Sequence, residues 1–209
     1  MFTLNKTKDK DFIVLNLSDP QLGNGEWDEG HQNRRILTET VKILVDRVHP
    51  DLITVSGDLS WAGNTVAYEQ LASFLDSLQI PWAPVWGNHD NQGGAECIDA
   101  VADSYLNHPY CLYEKGDPTL GNGNYVLKIV EDGKPVEAIL MMDSHDRATY
   151  VNEKGEETSE WAKLIPEQLD WYRKQIAGIR PSEKCTILWM KSKNTPMKCW
   201  KSGAGMISA

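Results

Sequence analysis

Residues 82–90 read WAPVWGNHD. The first five are apolar and the next two are chain breakers, so the stretch reads as a short buried strand stopped by Gly87-Asn88. Two earlier segments repeat the design. Residues 12–17, FIVLNL, run into Ser18-Asp19-Pro20-Gln21, and residues 51–56, DLITVS, close on Gly57-Asp58. Between these strands the apolar positions fall at helical spacing. Leu37, Val41, Leu44 and Val48 mark a helix over 31–48 that ends before Pro50. Ala67, Leu71, Phe74 and Leu78 mark a second, with Asn64 as its cap, and a third short helix spans 95–106. The order βαβαβ predicts a parallel sheet with helices on its faces, an α/β fold.

The second half changes character. Residues 124–130 and 135–142 are apolar runs joined by Glu131-Asp132-Gly133-Lys134, which predicts a hairpin. Residues 146–160 are polar and read as loop. Leu169, Tyr172 and Ile176 mark a helix between Pro166 and Gly178, and Cys185–Met190 reads as a last strand. The expected domain is 1–190. The remainder, 191–209, carries four lysines and no acid and reads as an atypical basic tail.

Charge and cysteine usage narrow the function classes. Lys plus Arg number 21 and Asp plus Glu 30, a net charge of -9. Removing the tail's four lysines leaves 17 basic residues against 30 acidic, or -13. An acidic chain lacks the electrostatic footprint of a nucleic-acid or anionic-membrane binder, so neither partner is expected. The apolar runs fall well short of the roughly 20 residues a membrane span needs. The four cysteines include no CxxC pair and read as free thiols, and the expected location is the cytoplasm.

Three polar clusters follow three parallel strands: Ser18-Asp19-Pro20-Gln21, Ser56-Gly57-Asp58-Leu59 and Gly87-Asn88-His89-Asp90. Each alone is an ordinary turn sequence. Together they lie where open α/β sheets bind ligands, outside the carboxyl ends of the strands. Asp19 and Asp58 offer hard oxygen donors, and a carboxylate can bridge two cations about 3.5–4 Å apart. Asn88 adds a neutral amide oxygen. His89 follows on the same turn, with Asp90 beside it to orient the ring. Trp27, Trp61 and Trp86 flank the clusters, and one of them is a candidate wall for a substrate pocket.

The order D-x-Q, then GD, then GNHD resembles the calcineurin-like metallophosphoesterase superfamily, whose pattern is D-x-H, GD-x-x, GNH-[DE]. The resemblance extends over residues 12–190 and includes Met142-Asp143-Ser144, similar to an "LDS" strand end, and Gln168, Trp171 and Tyr172, similar to a "Q-x-x-W" helix. The nearest subgroup is the one similar to purple acid phosphatases. The resemblance implies a four-layer αββα sandwich and hydrolysis of a phosphorylated substrate by a metal-bound hydroxide at a dimetal site. It makes Asp19, Asp58 and Asn88 metal ligands, with Asp58 bridging, and His89 with Asp90 the catalytic pair.

Two departures qualify that expectation. Gln21 stands where the family has a histidine ligand. It either ligates through its amide oxygen or holds a water, and it moves the expected metals towards Mn or Mg, with Fe or Zn as alternatives. The family's later histidines are missing: the five here are His31, His49, His89, His108 and His145. His145 reads as an exposed loop or substrate-facing residue, or a substitute ligand; His31 and His49 read as capping or surface residues and His108 as loop. The alternative function is therefore a truncated, catalytically impaired member with at most weak metal or phosphate binding. Its missing strands would leave a sheet edge open to self-association.

Overall fold

Alternate burial along two adjacent strands sets the layer order. The structure, a computed structural model, describes residues 1–161, 164–178 and 184–188. Strand β5 (Tyr125–Glu131) pairs antiparallel with β6 (Lys134–Met141). Their Tyr125, Leu127, Ile129, Ile139 and Met141 join the main core, while Val126, Ala138 and Leu140 form a second cluster with Met142, Leu164, Trp171 and Tyr172. Successive side chains of a strand point to opposite faces, so this sheet is covered on both sides.

The remaining strands among the described residues are β1 (Phe2–Asn5), β2 (Val14–Leu17), β3 (Leu52–Ser56), β4 (Trp82–Val85), β7 (Arg147–Val151), β8 (Glu157–Trp161) and β9 (Lys184–Leu188). The mixed sheet runs β1-β5-β6-β9, with β1 parallel to β5 and β9 parallel to β6. The other main sheet, β2-β3-β4, is wholly parallel. Leu52, Ile53 and Val55 are fully buried, as a parallel strand covered on both faces requires. The hydroxyl of Tyr125 donates to the Pro84 carbonyl and ties one sheet to the other.

Helices complete the outer layers. They are α1 (Gln32–Val48), α2 (Thr65–Ser77), α3 (Asn88–Asn91), α4 (Ala95–Tyr105) and α5 (Pro166–Ala177). Ala67, Tyr68, Leu71 and Leu75 of α2 and Ile98, Val101, Ala102 and Tyr105 of α4 enter the main core with the parallel sheet. Trp171 and Tyr172 of α5 cover the far face of the mixed sheet. The result is the expected α/β sandwich of two sheets between helical layers.

Several local expectations change. Residues 146–160, read as loop, contain most of the β7–β8 hairpin, closed by Asn152, whose side chain accepts from the N–H groups of Lys154 and Glu156. Arg147, Thr149 and Val151 are exposed, so the ribbon lacks the apolar run that marks a buried strand. Strand β1 lies in a stretch that showed no pattern, and it is held through its parallel register with β5. Asn64 is the N-cap of α2 by position, yet its own side chain makes no capping bond. Asn24 Oδ1 instead accepts from Ala67 N–H at 2.9 Å, while Asn64 Oδ1 accepts from Asn24 N–H at 3.3 Å. His31 and His49 do cap α1: His31 Nδ1 accepts from Asn33 N–H, and His49 ends the helix in a left-handed conformation. His108, read as loop, is largely buried between Asp76 Oδ2 at 2.7 Å and Glu69 Oε1 at 3.2 Å. The basic tail 191–209 and residues 189–190 of the last predicted strand lie outside the described residues.

Candidate metal centre

Three loops leave β2, β3 and β4 and are laced together by backbone bonds. Asp19 N–H donates to Gly57 O and Gln21 N–H to Asp58 O, both at 3.2 Å. His89 N–H donates to Asp58 Oδ1 at 2.9 Å. Asp19, Gln21, Asp58 and the Asn88–His89 turn are thereby brought into one neighbourhood. Asp19, Gln21 and Asp58 all have positive φ, at 54°, 45° and 51°. For residues other than glycine this left-handed backbone costs about 1–3 kcal/mol each, and such strain collects at functional sites.

The electrostatics favour a cation. Asp58 is 4% exposed. Burial pushes its carboxyl above the usual range, the neighbouring Asp19 carboxylate adds to the rise, and the N–H and ring of His89 oppose it. A site that tightens its hold on a proton for these reasons also gains from a bound cation. The Gln21 amide nitrogen is buried with no hydrogen-bond partner among the described residues. Turning that amide would place its oxygen there instead, a donor suited to a hard cation or its water. The side chains of Asp19, Asp58, Asn88 and Gln21 carry oxygens of the kind a hard divalent ion takes. Among the described residues no group of three or more His, Cys, Asp or Glu is placed to hold a metal ion.

His89 and Asp90 divide differently from the expected pair. Asp90 is fully buried. Its Oδ1 accepts from Leu59 N–H at 2.9 Å, Ser60 N–H at 3.2 Å and Tyr68 Oη–H at 2.7 Å, and its Oδ2 accepts from Gly87 N–H at 2.7 Å. Burial pushes this carboxyl up to about 7, against the bonds from Gly87 and Tyr68 that favour the anion. Asp90 therefore holds the site's loops together from the core side. The imidazole is oriented by Gln92, whose Oε1 lies 3.0 Å from His89 Nδ1, and by the Trp61 ring, with centroids 4.5 Å apart. Of the three flanking tryptophans, Trp61 is exposed beside the site, whereas Trp27 and Trp86 belong to the core. An open cleft of about 400 Å³ between β2 and α1, lined by Asn16, Asp19, Asn33, Leu37 and Thr40 among others, reaches the Asp19 side.

A second polar network lies beyond the turn. Asp143, 1% exposed, accepts from Asn91 Nδ2 at 3.0 Å and His145 N–H at 2.9 Å through Oδ1, and from Asn122 N–H at 2.9 Å through Oδ2. Gln168 is fully buried; its Nε2 donates to Asn124 Oδ1 and Asp143 O, and its Oε1 lies 3.1 Å from His145 Nε2. His145 is therefore a half-buried member of this network, not an exposed loop residue. Asp143 and Gln168 were visible as motif residues, but nothing in their spacing tells that they meet. Gln92 and Asn91 carried no signal beyond following GNHD.

Fold and site together define a phosphoesterase scaffold, two sheets between helices with oxygen donors and an imidazole at the strand ends. The chain belongs to the calcineurin-like phosphoesterase family, whose model matches residues 12–203. It is 31% identical over 170 residues to Phosphatase DCR2 of Saccharomyces cerevisiae, a match covering 70% of this chain and 29% of that protein. It is 36% identical over 88 residues to a probable cyclic nucleotide phosphodiesterase of Moraxella catarrhalis, covering 41% of this chain and 30% of the relative. The chain thus spans less than a third of the length of either relative. No helix of the described residues is long and apolar enough to cross a membrane.

Proposed function

We propose that this chain is a metal-dependent phosphoesterase acting on a phosphomonoester, with Asp19, Gln21, Asp58 and Asn88 as metal ligands and His89 as the catalytic group. The observation that carries the reading is the bond from His89 N–H to Asp58 Oδ1, which anchors the turn bearing the imidazole to one of the two carboxylates. Divalent cations, two by family and Mn or Mg by the oxygen donors, would neutralise phosphate charge and acidify the attacking water. The chain's own residues do the rest. Asp19 and Asp58 supply the negative charge that retains cations. Gln92 Oε1 lies 3.0 Å from His89 Nδ1 and orients the ring, whose protonated form would give a proton to the leaving oxygen. Asp90 acts as a positioning residue through Gly87, Leu59 and Ser60, in place of the ring-orienting role expected of it.

A monoester is favoured over a diester because the phosphatase match extends over 70% of this chain and the phosphodiesterase match over 41%. The test is a Mn²⁺-supplemented assay of p-nitrophenyl phosphate against its bis-ester, with His89→Ala as the comparison. The expected result is monoester turnover that falls by about 100- to 10,000-fold in His89→Ala. Turnover undiminished by His89→Ala, or faster hydrolysis of the bis-ester, would overturn the assignment.

A further inference from the structure

The turn that carries Asn88 and His89 is gripped on both polar groups of Gly87. On the core side, Gly87 N–H donates to Asp90 Oδ2 at 2.7 Å. On the other side, Asn91 Nδ2 donates to Gly87 O at 2.9 Å and to Asp143 Oδ1 at 3.0 Å. One amide group therefore spends two donor contacts bridging the turn after β4 to the end of β6 in the other sheet.

The far end of that bridge is built not to move. Asp143 also takes the N–H groups of His145 and Asn122, both at 2.9 Å. Its own carbonyl accepts from Gln168 Nε2 at 2.7 Å, and Gln168 is a fully buried residue of α5. Gly121, at φ +95°, lies so close that a Cβ there would come within 2.7 Å of Asp143 Oδ2 and 2.5 Å of His145 Cε1. A buried carboxylate is a costly way to hold a half-buried turn, because apolar contact would do so without desolvating a charge. Burial indeed pushes the Asp143 carboxyl upward, against the His145 ring and the three N–H groups that favour its anion. What the carboxylate supplies that apolar packing would not is a directional bond.

We propose that Asn91 and Asp143 are positioning residues for His89, forming a clamp that sets the Gly87–Asn91 turn, and with it the imidazole, relative to Asp58. The inference rests on His89 being the catalytic group. It assigns no contact with substrate to either residue. Through the clamp, the β6 end of the mixed sheet fixes chemistry that the parallel sheet carries. Displacement of a reacting group by about 1 Å can cost on the order of 100-fold in rate, so loss of the clamp should show in turnover before it shows in binding.

The experiment is a double-mutant cycle on the full chain with Mn²⁺ and p-nitrophenyl phosphate. Asn91→Ala is expected to lower kcat by about 10- to 100-fold with KM within about twofold. In the His89→Ala background the same substitution is expected to change the residual rate by less than about twofold, because the residue it acts through is gone. Equal fold-losses in the two backgrounds overturn the proposal, since a general structural role would act in both. Amide hydrogen exchange gives a second reading that needs no turnover. Asn91→Ala should speed exchange at His89 N–H by about five- to tenfold, with Ile53 and Leu127 N–H unchanged. Uniform acceleration, or none, overturns the clamp. A wild-type chain without turnover overturns the phosphoesterase reading instead, and exchange then decides the clamp alone.

Discussion

His89 donates its backbone N–H to the Asp58 carboxylate at 2.9 Å across 31 residues of chain. One acidic group thus serves two purposes, as a negative charge beside Asp19 and as an anchor for the turn that bears the imidazole. Substitutions can separate them. Asp58→Asn keeps an acceptor for the His89 N–H and loses the charge, whereas Asp58→Ala loses both. Calorimetric titration with Mn²⁺ is expected to show binding lost in both variants, and less affected in Gln21→Ala, because an amide contributes no charge. Hydrogen exchange at His89 N–H is expected to remain slow in Asp58→Asn only. Equal retention of Mn²⁺ by Asp58→Ala and Gln21→Ala would contradict the assignment of Asp58.

The exposed Trp61 ring lies 4.5 Å from the His89 ring, and Ala62 N–H donates to His89 O at 3.1 Å. The loop and the imidazole therefore brace one another. Trp61→Ala is expected to lower kcat/KM by about 5- to 20-fold, equivalent to losing one aromatic contact and some fixed orientation. Trp61→Phe should recover most of that loss. Because Trp61 is 42% exposed, thermal melting should move little in either variant. A large drop in melting temperature without a change in kcat/KM would show the ring to be structural.

What could be read from the residues follows what they bury. Strands β2, β3 and β4 announced themselves because β3 and β4 are covered on both faces, which forces a continuous apolar run ended by breakers. Their carboxyl ends then located Asp19, Asp58 and Asn88 without further help. Strand β1 and the β7–β8 ribbon bury little, so their composition looks like loop. The adjacent pair His89-Asp90 misled for a geometric reason. In a helical turn successive side chains are rotated by about 100°, so neighbours in sequence face different surroundings. Asp90 accordingly points into the core towards Tyr68, and His89 lies against Trp61 and Gln92. The Asp143–Gln168 meeting depends on α5 packing over the mixed sheet, a contact that no local pattern encodes.

Gly121 permits the second network to exist. Its φ of +95° and ψ of -165° belong to a region open to glycine almost alone, and its missing Cβ leaves room for Asp143 and His145. Gly121→Ala is expected to destabilise the fold by about 2–5 kcal/mol, combining backbone strain with overpacking against a buried carboxylate. Urea unfolding checks this. A change below about 0.5 kcal/mol would mean that the Asp143 environment is loose and that the clamp on Asn91 has no rigid base.

The buried Asp143 carboxyl also gives the fold a pH dependence of definite sign. Burial is the main cause that raises its pKa, and the His145 ring, the His145 and Asn122 N–H groups and the Asn91 amide work against that rise. The unfolded chain releases the proton near the ordinary aspartate value of about 3.9. The folded chain releases it at higher pH. Between the two the folded state binds more protons, so stability falls as pH rises. The stabilisation from the protonated group is complete below about pH 3.9 and is lost as pH passes the folded-state value. Asp143→Asn removes that titration while leaving a polar group of similar shape. Stability from urea unfolding, measured in steps from pH 4 to 7, should therefore fall less steeply in the variant than in the wild type. Some slope should remain, because burial also raises the carboxyls of Asp58 and Asp90, and neither is altered. The variant is expected to be less stable than the wild type at pH 4, where the neutral acid is retained, and the gap should narrow towards pH 7. Parallel curves would show that Asp143 titrates alike in both states and that its burial imposes no protonation cost.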